Sequence, residues 1–85
     1  MEKVLHLTLF KKWFEEILKG NKKTEYREIK PYWTKRLFNP DGSARKYNYI
    51  VFRNGYSKNS PKIKVEFMGI RKKKQYEIIL GKIIR

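Results

Sequence analysis

Residues 4–20, Val4-Leu5-His6-Leu7-Thr8-Leu9-Phe10-Lys11-Lys12-Trp13-Phe14-Glu15-Glu16-Ile17-Leu18-Lys19-Gly20, change their hydrophobic period once. Over residues 4–9, Leu5, Leu7 and Leu9 alternate with Val4, His6 and Thr8, which predicts a strand with one apolar face. From Phe10 onward the apolar positions Phe10, Trp13, Phe14, Ile17 and Leu18 recur at helical spacing, with Lys11, Lys12, Glu15, Glu16 and Lys19 between them. That pattern predicts an amphipathic helix with its apolar stripe turned inward. Gly20 and Asn21 end it, because glycine readily takes the left-handed conformation that closes helix ends, and Lys19 suits the negative end of the helix dipole.

Beyond this unit, residues 23–29 read as a second strand with Lys23, Glu25, Arg27 and Ile29 on one face and Thr24, Tyr26 and Glu28 on the other. Pro31 closes it. Trp33, Leu37 and Phe38 can form the apolar side of one or two helical turns over residues 32–38, and Asn39-Pro40-Asp41-Gly42-Ser43 opens a loop over residues 39–45. Residues 47–53 are rich in aromatic and β-branched side chains and predict a third strand, followed by a loop or bulge starting at Gly55. Residues 62–69 alternate Ile63, Val65 and Phe67 against Lys64, Glu66 and Met68, and residues 75–84 complete the set across a basic turn at 71–74. Five short strands with one good helix and a short second helical segment predict an α+β domain: a small mixed, barrel-like sheet sealed by the amphipathic helix.

At 85 residues the chain is expected to form one domain over residues 1–85, since domains typically run to roughly 100–150 residues. Two Trp, six Tyr and five Phe can supply a small core with bulk. The absence of cysteine excludes disulfides and thiolate metal sites, and a reducing cytoplasm is the expected location. No apolar run approaches the roughly 20 residues of a membrane span, and neither a targeting signal nor a membrane partner is expected. Charge points elsewhere: 22 Lys and Arg against 8 Asp and Glu give a net charge of +14, a field that attracts polyanions and predicts salt-sensitive association with RNA or nucleotides.

The chemistry-bearing stretch is Gly20-Asn21-Lys22-Lys23-Thr24-Glu25-Tyr26-Arg27. Glu25 and Arg27 lie two apart on one strand face. They either form a same-face ion pair that fixes the strand or point together into a cleft where the guanidinium orients the carboxylate. Lys22, a compact mobile charge at the mouth of the strand, can meet a phosphate or a polarised carbonyl. Glu66 could bring a second carboxylate to the same cleft. Tyr26, Tyr32 and Trp33 flank the stretch, and Arg53, Asn54, Tyr56 and Lys58 mark a basic, aromatic loop. Such residues can stack an unpaired base and hold its backbone, while Tyr26 and Trp33 can equally serve as packing. His6, the one histidine, has no evident triad partner, and neither a metal site nor a cofactor is expected. The run Arg71-Lys72-Lys73-Lys74 reads as a solvated hairpin tip, a phosphate clamp or a localisation signal.

A strand carrying Leu7 and Leu9, an apolar helix ending in Ile17-Leu18-Lys19-Gly20, and then G-x-K-x-x-E-x-R resemble the opening of an ASCH domain, a relative of the PUA domains. The resemblance covers about the first third of the chain and places Gly20, Lys22, Glu25 and Arg27 at the motif positions. It implies a PUA-like β-barrel with a cleft near the motif that binds RNA or a modified nucleotide. Members of the wider family include amidohydrolases acting on acylated cytidine and a ribonuclease. The amidohydrolases carry a hydroxyl nucleophile at the position Glu25 takes here, and the neighbouring Thr24 points to the opposite face. The expected function is RNA or nucleotide binding through Lys22, Glu25, Tyr26, Arg27, Trp33, Arg53, Asn54, Tyr56 and Lys58. The alternatives are a small hydrolase using Lys22, Glu25 and Glu66, with one carboxylate as general base, and a basic adaptor for an acidic protein.

Overall fold

A computed structural model describes residues 2–84. The elements run β1 (Val4–Leu9), α1 (Lys11–Leu18), β2 (Thr24–Arg27), α2 (Pro31–Leu37), β3 (Tyr49–Asn54), β4 (Lys62–Lys72) and β5 (Tyr76–Ile84). The five strands form one sheet in the order β1-β3-β4-β5-β2. β1 and β3 pair in parallel, and the other neighbours are antiparallel. The sheet curls into a half-barrel, so the chain is a small α+β fold with a curled five-stranded sheet and two helices. Its two edge strands, β1 and β2, meet at one point: the Arg27 guanidinium on β2 donates to the Thr8 carbonyl on β1 at 3.2 Å.

Alternation sets the inner face. Leu5, Leu7 and Leu9 of β1, Ile50 and Phe52 of β3, Val65 of β4, and Tyr76, Ile78 and Leu80 of β5 are buried in one cluster with Phe14 and Ile17 of α1 and Leu37 of α2. β4 curves through two register irregularities, between Val65 and Phe67 and between Phe67 and Gly69, and bulges of this kind bend a strand and increase its twist. On the opposite face the backbone of Gly81 lies against Glu66: a Cβ added at Gly81 would stand 2.7 Å from Glu66 Cβ.

Several boundaries depart from the sequence reading. β2 stops at Arg27, leaving Ile29 exposed, and Lys30 stands at the N-cap of α2, which begins at Pro31, a residue suited to the first helical position. β3 starts at Tyr49, two residues later than expected, and β4 runs on to Lys72. The largest departure is in α1. Phe14 and Ile17 alone among its residues are buried, while Phe10, Trp13 and Leu18 of the expected inward stripe are exposed. An eight-residue helix makes little more than two turns, so only positions three apart on its innermost line reach the sheet.

Candidate functional site

The end of α1 fixes the first site residue. Gly20 takes φ 78°, its N–H bonds the Ile17 carbonyl at 3.0 Å, and the Asn21 N–H bonds the Glu16 carbonyl at 3.0 Å. This is a Schellman closure, and it turns the chain sharply into β2. The Lys22 N–H is drawn to the same Glu16 carbonyl at 3.3 Å, so Lys22 enters β2 from a constrained backbone.

β2 then supplies the other two. Glu25 pairs in register with buried Ile78 and Arg27 with buried Tyr76, so both side chains point to the inner face, as alternation requires. Glu25, 6% exposed, is the one buried charged residue among those described. Its two oxygens are held separately: Lys22 Nζ lies 3.1 Å from Oε1, and Arg27 Nη2 lies 2.5 Å from Oε2. Arg27 is backed in turn by α2, where the Trp33 ring centre lies 4.9 Å from the guanidinium carbon. The three charges sum to +1, so one carboxylate does not neutralise its surroundings.

This triad floors a cleft of about 620 Å³. Its walls come from the end of β1 with the start of α1 (residues 8–11 and Trp13), from Tyr26 on β2, and from Asn54 at the end of β3 with Gly55 and Tyr56 after it. The rim is aromatic and wet: Phe10, Trp13, Tyr26 and Tyr56 are 82%, 43%, 49% and 89% exposed. Phe10 and Tyr56 contribute little to packing, Trp13 and Tyr26 are about half exposed, and all four around one opening present surface to a ligand. Lys22 Nζ lies between two of these rings, 5.1 Å from the centre of Trp13 and 5.4 Å from that of Tyr26, at cation–π range.

Lys22, Glu25, Tyr26, Arg27, Asn54 and Tyr56 therefore come together as cleft residues. Trp33 does not line the cleft and instead supports Arg27 from α2. Arg53 lies outside the lining and donates from Nη2 to the Ser57 carbonyl at 2.7 Å, which braces the loop carrying Tyr56. Lys58 is exposed on the same loop, outside the lining. Glu66 is elsewhere: facing away from buried Val65, it accepts the Lys82 N–H at 2.8 Å across the β4–β5 irregularity. The Lys22, Glu25 and Glu66 set is thus not assembled, because the face of β4 that carries Glu66 is turned away from the core and cleft.

Phe10, Lys11 and Trp13 are cleft residues that sequence reasoning assigned to the helix alone. The available signal was a full aromatic stripe on a helix too short to bury it. Among the described residues, no group of three or more His, Asp or Glu side chains could hold a metal ion. The Nε atoms of Arg27 and Arg53 are buried without a hydrogen-bond partner among those residues. Compared with known proteins, the chain matches no family model, no curated protein and no solved structure.

Proposed function

We propose that this protein binds RNA or a nucleotide in the cleft between α1, β2 and the loop after β3, as a PUA-like module of the ASCH type. The carrying observation is buried Glu25 held between the partly exposed cations Lys22 and Arg27, beneath four exposed aromatic rings. Each part suits a nucleotide. The rings offer π faces on which unpaired bases stack, at about 1–3 kcal/mol per base. The net positive charge of the floor, with Lys11 at the rim, attracts phosphate, and the carboxylate can accept hydrogen bonds from a base edge. The curled sheet and the motif positions Gly20, Lys22, Glu25 and Arg27 support the PUA-like reading. A chain without cysteine suits a reducing cytoplasm, and among the described residues no helix is long and apolar enough to cross a membrane.

Binding is favoured over hydrolysis because the cleft holds one carboxylate, Glu25, and both of its oxygens already accept from cations. Titrating the labelled protein with short single-stranded RNAs and mononucleotides, and following backbone amide shifts, tests the reading. Shifts confined to the cleft support it, and their absence at low salt rejects it.

A further inference from the structure

The floor of the cleft presents a row of hydrogen-bonding groups whose order can be compared with the edge of each base. Lys22 Nζ sits on Oε1 of Glu25, and Arg27 Nη2 sits on Oε2. Both N–H bonds of that Nη2 are committed, one to Oε2 and one to the Thr8 carbonyl. An ammonium has three N–H bonds, and a carboxylate has about four lone-pair directions. After the internal contacts, Lys22 can still donate, and each oxygen of Glu25 can still accept. The row therefore reads donor, acceptor, acceptor.

We infer that the cleft selects guanine, read along its Watson–Crick edge by Lys22 and Glu25. This rests on the nucleotide-binding reading above. Guanine presents O6, N1–H and the N2 amino group in sequence: acceptor, donor, donor. Lys22 donates to O6, and the two oxygens of Glu25 take N1–H and N2–H as a pair of charge-assisted bonds. The other bases match this row less well. Uracil has a single N–H between two carbonyls, so one carbonyl faces a carboxylate oxygen. Adenine and cytosine each offer one amino group beside a ring nitrogen that carries a lone pair, which again sets acceptor against acceptor. The buried position of Glu25 raises the cost of such a mismatch, because the base's own acceptor set against it is removed from water without a donor. Trp13, Tyr26 and Tyr56 stack any base, and the discrimination comes from the floor.

The test changes the ligand and leaves the protein intact, so no variant has to fold. RNAs of about five nucleotides, uridine except at the centre, are titrated while Trp fluorescence and amide shifts are followed, with guanosine, inosine, 1-methylguanosine, adenosine, cytidine or uridine at the central position. Guanosine binds tightest. Inosine, which lacks the N2 amino group, and 1-methylguanosine, which lacks N1–H, each lose about 5- to 150-fold, the range for a bidentate base contact. Equal binding of guanosine and inosine, or tighter binding of the uridine-centred RNA, overturns the guanine assignment while leaving nucleotide binding in place. Failure of every RNA to bind at low salt overturns both.

Discussion

The Arg27 guanidinium and the Thr8 carbonyl, 3.2 Å apart, join the two edges of the curled sheet through a side chain where barrel closure would use backbone pairing. The nitrogen that makes this contact also holds Glu25 Oε2 at 2.5 Å. One group thus closes the fold and builds the floor of the cleft, and stability and ligand binding are coupled at Arg27.

Arg27→Ala removes the tie between the edges and leaves Glu25 with Lys22 alone. The expected loss is about 3 kcal/mol, the lower end of the range for breaking a buried pair, since Arg27 is partly exposed. Arg27→Lys keeps the charge but cannot hold both partners in the same planar geometry, and it recovers part of the loss. Urea unfolding of the three proteins measures the order: wild type, Lys, Ala.

Tyr56→Ala separates binding from folding in the opposite sense. The ring is almost wholly exposed, so the unfolding midpoint should stay where it is. If a base stacks on this ring, RNA affinity falls by about 1–3 kcal/mol. Isothermal titration beside a melting curve reads both quantities.

Glu66→Gln should leave RNA binding unchanged, because Glu66 serves the β4–β5 irregularity and not the cleft. Gly81→Ala should cost about 1–3 kcal/mol of stability, as overpacking does, since the added Cβ meets Glu66. A loss of affinity in Glu66→Gln at full stability would restore the two-carboxylate reading.

Affinity should fall linearly with salt on logarithmic axes, by roughly 0.7 per phosphate engaged on a single strand. The cleft reading adds that position outweighs charge count. Lys22→Ala lowers affinity by about tenfold or more, the scale of one charge-assisted bond, whereas Lys72→Ala with Lys73→Ala at the β4–β5 turn removes two charges with a smaller effect.

Much of the fold was legible because local periods decide it. The switch from alternation at residues 4–9 to helical spacing after Phe10 marks β1 and α1, and Gly20 marks the turn between them. The shared face of Glu25 and Arg27 followed from strand geometry alone. The parallel pairing of β1 with β3 did not, because it joins Val4 to Tyr49 across about half of the chain, and no local pattern encodes it. Phe10 and Trp13 were misread as inward residues because helical spacing shows which positions align and not how many of them the sheet can cover. Alternation with Val65 already sets Glu66 on the face opposite Ile63, Val65 and Phe67, and that face is turned away from the cleft the second carboxylate was expected to reach.

The central claim, a nucleotide cleft floored by Lys22, Glu25 and Arg27, is tested most directly by mapping amide shifts during titration with a short single-stranded RNA at low salt. The account predicts shifts concentrated at residues 8–13, 22–27 and 54–56, the three segments that enclose the cleft. Shifts centred on the basic turn at residues 71–74, or spread evenly over the lysines and arginines of the surface, would contradict it.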